Sequence, residues 1–391
     1  MGTQRLRSHR DTVRCGDASA EHSKDAHFLA RLQAEFFQSV FNNFGKRNFD
    51  LLRFGAYPRR SIGTRVQNHF RKRAIPIGEL RELQQTYDYY ASTYADDLTE
   101  IYQHIDEPSR HLLIKLIAFR ALGFRRVMLP ANNAKYWEAL RTAEGLKDPH
   151  DTIDPKFMHF LLAKFDLREI GYHISMYHTD LGVAVDFLLE QYAYKADGET
   201  IVEAVEGDTV IDCGGCWGDT ALYFAEKTGA AGRVYSFEFI PGNIRIFKTN
   251  LELNPKLEQR ISLVEHPVWE TSGRDVFFRD HGPGSAVSLT PLENQTGSAT
   301  TLSIDDLVER EKIAKVDYIK MDIEGAEPHA LRGASKTIEK FRPKLAIAIY
   351  HSMDDFINIP KWLIGLDLGY KFYLGHYSIH AEETVIFASP E

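Results

Sequence analysis

The residues with the clearest chemical use are two acids. Asp212 is followed by Cys213-Gly214-Gly215-Cys216-Trp217-Gly218, and Glu238 follows Arg233-Val234-Tyr235-Ser236-Phe237. Both acids come directly after short apolar runs that read as buried strands, Thr209-Val210-Ile211 and residues 233–237. Gly214 and Gly215 would let the backbone pass close to a ligand, and Gly218 would let a helix start against the strand. A carboxylate where Glu238 stands accepts hydrogen bonds from both hydroxyls of a ribose. A glycine turn alone is weak evidence. Strand, turn, helix, strand and terminal acid in succession are a stronger sign of a nucleoside site.

The details of the turn separate the possible ligands. The dinucleotide pattern Gly-x-Gly-x-x-Gly is missing, because Cys216 occupies its second glycine position and the spacing is Asp-x-Gly-x-x-x-Gly. An acid at the strand end would repel a pyrophosphate. It suits a ligand with a cationic amino-acid portion, which S-adenosylmethionine has. A nicotinamide oxidoreductase is the alternative, weakened by the missing pattern; an inactive cofactor-binding scaffold is a second, weakened by the intact acids. Cys213 and Cys216 make neither a zinc site, which needs two further ligands, nor a thioredoxin-like motif, which needs its own fold. They read as small residues lining a tight turn.

These residues must be positioned by a sheet. From Asp197-Gly198 onward strands alternate with helices: a helix over Asp219 to Lys227, another from Pro241, and a third strand at Ile261-Ser262-Leu263-Val264. Asp275 to Leu289 reads as an inserted hairpin turning near Gly282-Pro283-Gly284. A fourth strand is expected at Asp317 to Met321, a fifth at Lys344 to Tyr350, and a closing pair at Tyr370 to Leu374 and Thr384 to Phe387. Alternation of this kind predicts an α/β, Rossmann-like class I methyltransferase fold: seven strands, mostly parallel, with an antiparallel terminal strand.

The first half is different in character. Residues 1–25 are polar and aperiodic and read as a disordered tail. Residues 26–195 read as a mainly helical region. Phe28, Leu29, Leu32, Phe36, Phe37 and Phe41 fall near one helical face, and Leu83, Tyr87, Tyr90, Tyr94, Leu98, Ile101 and Ile105 draw a second stripe. Val127-Met128-Leu129 reads as a short strand, and 157–192 as mixed helical and aromatic sequence. This region reads as a helical cap or a module for homo-oligomer formation, with residues 196–391 as the catalytic domain. The block of Arg53, Arg59, Arg60, Arg65, Arg71, Lys72 and Arg73 contains no acid; a solvated loop is the simpler reading than a patch for phosphorylated or lipid-linked substrate.

Composition fits a soluble globular chain of 391 residues, 43% apolar and 12% aromatic, which is more than one ordinary domain holds. A net charge of -8 gives no general attraction to nucleic acid, and no Asn-Pro-Pro-Tyr-like base-reading motif occurs. Three cysteines and the absence of a run of roughly 18 apolar residues argue for a cytoplasmic protein without an integral membrane segment. The N-terminus lacks a signal-peptide stretch.

The chain resembles the FkbM-type methyltransferases over about residues 185 to 390. Val210 to Thr220 is similar to their first motif, and Phe237-Glu238-Phe239-Ile240-Pro241 to their second, which is more often shortened to Phe-Glu-Pro. Ile319-Lys320-Met321-Asp322-Ile323-Glu324-Gly325-Ala326-Glu327 is the most specific match, and Ser303 to Leu307 fits ahead of it. The resemblance implies O-methylation of a sugar, glycan intermediate or related small molecule, with Trp217, Phe239 and Asp322 joining Asp212, Gly214, Gly215, Gly218 and Glu238 around S-adenosylmethionine.

Methyl transfer to an alcohol needs alignment and a proton acceptor. Asp322 and Glu324 end the fourth strand on one side of it; His351 follows the fifth and His376 the sixth. Asp322 has three uses: holding the acceptor hydroxyl, contacting the methionine amine, or sharing a divalent ion with Glu324. The last ranks lowest, and no metal is assigned. Of the two histidines, His351 lies nearer the sheet centre and is preferred as base. Glu327 reads as a helix cap.

Overall fold

The structure, a computed structural model, describes residues 18–57, 77–285 and 287–390. Its centre is a seven-stranded sheet. The strands in chain order are β1 (Thr209–Cys213), β2 (Arg233–Phe237), β3 (Ile261–Val264), β4 (Tyr318–Met321), β5 (Lys344–Ala348), β6 (Tyr370–His376) and β7 (Thr384–Pro390). They lie in the order β6-β7-β5-β4-β1-β2-β3. All neighbours are parallel except β7, which runs antiparallel to both β5 and β6. This is the fold expected from the sequence. β4 is buried along its whole length and β1 nearly so, as central strands covered on both faces must be. The chain leaves β3 at one edge and re-enters the sheet at β4 beside β1. Strand order therefore reverses between β1 and β4, and ligands of open α/β sheets bind beyond the carboxyl ends at that point.

Helices Asp219–Lys227 and Pro241–Glu252 follow β1 and β2 as expected. The inserted segment has one strand more than the hairpin reading provides: Asp275–Phe278 is flanked by Val287–Ser288 and Gly297–Thr300. Gly297 to Thr300 is too short and polar to announce itself by alternation.

The first half is mainly helical, as expected, with a small sheet between the helices and β1. Helix Ala18–Ser39 starts inside the stretch read as a tail, and Ile77–His104, Glu107–Leu122 and Ala134–Leu146 follow. Phe28, Leu32, Phe36, Leu83, Leu98 and Ile101 are buried as the stripes require, whereas Phe41, beyond the helix end, is exposed. Val127-Met128-Leu129 forms no strand; Val127 and Leu129 are buried, and the Val127 carbonyl accepts from Asn48 Nδ2 at 2.5 Å. Residues 147–178 fold as a three-stranded antiparallel sheet, Lys147–Ile153, Leu162–Asp166 and Ser175–His178. Of the basic block, Arg53 is described; Arg59 to Arg73 lie outside the described residues. Helix Glu107–Leu122 packs on β6, where Ser109 Oγ accepts from Leu374 N at 2.8 Å. No helix among the described residues is long and apolar enough to cross a membrane.

Candidate active site

The turn after β1 is held by buried polar contacts. Asp212 is wholly buried and accepts the hydroxyls of Thr220, at 3.0 Å, and Ser236, at 2.7 Å. Lys320, one strand over on β4, pairs with it at 3.2 Å and donates to the carbonyl of Gly214 at 2.7 Å. Burial works against the Lys320 charge, but Asp212, Asp322 and Asp219 hold its pKa above the ordinary lysine value. Removing one partner of such a pair costs about 3–5 kcal/mol. Asp212 thus fixes the turn from behind and does not line either cavity described below.

The glycines are required by neighbouring protein. A Cβ on Gly214, which has φ +89°, would stand 1.9 Å from the Asp322 carbonyl oxygen, and one on Gly215 would stand 2.1 Å from Ser236 Oγ. Gly218, with φ +87°, begins helix Asp219–Lys227 against the ring of Phe247 rather than against the strand. Burial pushes both thiols, Cys213 and Cys216, well above the usual range, which favours their protonated form.

Glu238 closes β2. Its Oε1 accepts from the backbone of Phe239 and Ile240 at 2.6 and 2.8 Å, and Oε2 from Asn243 Nδ2 at 3.0 Å. A carboxylate offers about four acceptor positions, so one remains, enough for one ribose hydroxyl rather than two. Burial pushes this carboxyl up to about 7. Glu238, Phe239, His266 and Val268 line a small cavity of about 80 Å3. Gly214, Cys216, Asp322 and Glu324 border it and also a larger cavity of about 600 Å3, which Trp217, Tyr192, Tyr350 and His351 line as well. A nucleoside with a cationic amino-acid arm fits this arrangement: one acid faces the small cavity, and further carboxylates face the join.

At the join stands Asp322. Tyr192 donates to its Oδ2 at 3.0 Å and Tyr350 to its Oδ1 at 3.0 Å. Burial first, then the charge of Asp322, raises the pKa of both phenols well above normal, which keeps them protonated as donors. His351 Nε2 lies 3.3 Å from Asp322 Oδ1, and the imidazole stacks on Tyr350 with centroids 4.2 Å apart. Neither nitrogen of His351 has a hydrogen-bond partner. Glu324 borders both cavities and adopts φ +56°, a left-handed conformation uncommon for a non-glycine residue. Glu327 begins helix Glu327–Arg332 but makes no capping bond to it: it accepts from Ile323 N at 2.7 Å and Gly325 N at 3.0 Å, and so ties down the turn ahead of the helix. His376 lies apart, its Nδ1 2.9 Å from Thr384 Oγ1 in the β6–β7 ladder, and it lines neither cavity.

Several residues of the larger cavity were not apparent in the sequence. His178, Asp186, Gln191 and Tyr192 come from the chain ahead of β1, and Arg53 reaches in from the first half to pair with Glu383 at 2.9 Å and with Glu382. Nothing in their spacing marks them, since non-local pairing brings them together.

A sheet of this order, with a glycine turn after β1 and an acid closing β2, is that of the class I methyltransferase fold. Residues 186–372 match the model of the Methyltransferase FkbM domain, a family of S-adenosylmethionine-dependent methyltransferases. No curated protein matches the chain. Among solved structures, a methyltransferase FkbM from Methylobacillus flagellatus KT shares 16% identity at a TM-score of 0.46, with 78% of this chain and 61% of that one covered. A putative rRNA-methylase from Clostridium thermocellum shares 15% at 0.32, covering 47% and 87%. Fibrillarin from Aeropyrum pernix, solved with natively bound S-adenosyl-L-methionine, shares 14% at 0.32, covering 61% and 99%. The match thus spans 61% of the Methylobacillus chain's length.

Proposed function

We propose that this protein is an S-adenosylmethionine-dependent O-methyltransferase whose acceptor is a neutral, polyhydroxylated small molecule, a sugar or glycan intermediate being the leading candidate. The observation that carries this reading is the join of the two cavities at Asp322. The bound cofactor supplies an electrophilic methyl on a sulfonium. Glu238 takes one ribose hydroxyl, and Phe239 and Val268 flank the small cavity where the base would lie. Asp322, oriented by two tyrosine hydroxyls, faces the point where the sulfonium and the acceptor would meet. Its negative charge stabilises a sulfonium and orients an acceptor hydroxyl. His351, with both nitrogens unpartnered and one close to Asp322, is the proposed proton acceptor.

The acceptor class follows from the lining. Asp186, Asp219, Asp322, Glu324, Glu382 and Glu383 outnumber Arg53 and Lys320 around the larger cavity. A phosphorylated acceptor would meet repulsion there, whereas hydroxyls find acceptors and aromatic faces find Trp217, Phe157 and Phe160.

The test is calorimetric titration of S-adenosylmethionine and of NAD into the full chain and into Glu238→Ala, followed by methyl-label transfer to a panel of neutral sugars. The expected result is binding of the methyl donor alone, weakened in the variant. Binding of NAD alone overturns the reading, and binding of neither favours a scaffold.

A further inference from the structure

One cluster on the wall of the larger cavity has bonding capacity that the methyl-transfer reading leaves unused. His178 ends the strand Ser175–His178, Asp186 lies in the π-helical segment Val183–Leu188, and Asp219 opens helix Asp219–Lys227. One ring nitrogen of His178 and one carboxylate oxygen from each aspartate lie within 4.8 Å of one another, and all three residues are buried. His178 Nε2 is 3.0 Å from Asp186 Oδ2. Asp219 is 8% exposed and His178 6%, yet Asp219 Oδ1 and His178 Nδ1 have no hydrogen-bond partner. An unpaired buried carboxylate oxygen costs about 1–3 kcal/mol or more. Its retention calls for a cationic ligand.

The backbone is shaped around the group. A Cβ at Gly182 would stand 2.0 Å from His178 Nε2, so only glycine lets the imidazole lie where it does. Lys320 does not fill the role, since its ammonium is committed to Asp212 and the carbonyls of Cys213 and Gly214. The comparison with Asp322, Glu327 and His351, which also fall within 4.8 Å of one another, is instructive. There the carboxylates are already occupied by tyrosine hydroxyls and backbone amides.

We propose that His178, Asp186 and Asp219 form a binding site for a divalent first-row transition ion, with its remaining coordination positions open to the cavity. Bonds of about 2.0–2.2 Å place neighbouring donors about 3 Å apart and opposed donors a little over 4 Å apart, which these separations accommodate. One imidazole with two carboxylates suits Mn2+ or Zn2+, and the open positions take water or vicinal hydroxyls of an acceptor. The site stands independently of the cofactor assignment.

The experiment uses the full chain, stripped with chelator and titrated with Mn2+ under electron paramagnetic resonance. One equivalent of free-ion signal should disappear per chain, and pulsed spectra should show nitrogen modulation from one imidazole. Asp186→Asn and Asp219→Asn should weaken binding at least tenfold. His178→Gln should abolish the modulation, and His351→Gln should keep it. If His178→Gln does not fold, the wild-type stoichiometry and the His351→Gln spectrum still decide. Absence of stoichiometric Mn2+ or Zn2+ binding by the folded wild-type protein overturns the proposal. Loss of the modulation in His351→Gln overturns it as well.

Discussion

Tyr192 donates its hydroxyl to Asp322 Oδ2 at 3.0 Å, tying the chain ahead of β1 to the carboxyl end of β4. The bond meets the sheet at its topological switch point, and Tyr350, just past β5, donates to the same carboxylate. Asp322 is therefore oriented from two sides. Tyr192→Phe removes one donor and leaves the ring. We expect kcat to fall about tenfold, the equivalent of losing one charged hydrogen bond, while the Kd for S-adenosylmethionine moves less than twofold. Single-turnover kinetics beside calorimetry separate the two. An equal loss in both would show that Tyr192 serves the cofactor pocket instead.

Glu238 gives a pH dependence. Burial lifts its carboxyl to about 7, and the ionised form is the stronger acceptor for a ribose hydroxyl. Affinity for S-adenosylmethionine should be highest above pH 8 and fall as pH drops through 7. The limiting slope is about tenfold per pH unit. Glu238→Gln should bind more weakly, by about 1–3 kcal/mol, and with a flat profile. Calorimetry from pH 6 to 8.5 reads both; a sloping profile in the variant would assign the titration to another group.

Stability carries a second pH signature. Glu327 is wholly buried and its carboxyl is pushed up to about 8, so between the unfolded value near 4.5 and that figure the folded chain holds more protons than the unfolded one. Stability from this residue is fully present below pH 4.5 and lost as pH rises toward 8. Burial acts oppositely on His376 and His380, lowering them to about 3 and about 2. Their neutral folded forms cost stability only below about pH 6.5. The contributions oppose one another from 4.5 to 6.5, and above that the buried carboxyls remain, Glu327 together with Glu238 and Glu324, which burial raises to about 7 and about 8. Urea midpoints should therefore fall between pH 6.5 and 8.5, and Glu327→Gln should shallow that decline.

The glycine turn after β1 and the acid after β2 were legible because they are local. Asp212 to Gly218 and Glu238 each belong to one strand end, where alternation and glycine placement speak directly. What local pattern did not give was direction: Asp212 turns inward because Thr220, Ser236 and Lys320 are there to satisfy it, and those partners come from three other elements. His178 and Asp186 were illegible for a related reason. They sit on a four-residue strand and a π-helical turn, neither long enough for a period, and meet Asp219 only through the packing of residues 147–188 on the domain.

Arg53 tests whether the first half of the chain shapes the acceptor cavity. It stands in the short helix Leu51–Phe54, whose N-cap Asp50 accepts from Arg53 N at 3.0 Å, and its guanidinium pairs with Glu383 at 2.9 Å and with Glu382. Gln191 Nε2 holds the other oxygen of Glu383 at 2.9 Å. These contacts close the rim of the larger cavity, whereas none of these residues lines the small cavity beside Glu238. Arg53→Ala leaves two acids at the rim without their cation and opens it to water. The pair is partly exposed, so its loss corresponds to about 1 kcal/mol, or roughly fivefold. We expect KM for the acceptor to rise by that factor, with kcat and the S-adenosylmethionine Kd within twofold of the wild type. Steady-state kinetics with a saturating cofactor measures the first, and calorimetry the second. If the cofactor Kd rises in step with KM, Arg53 supports the domain as a whole, and the first half is a stabilising cap rather than one wall of the acceptor site.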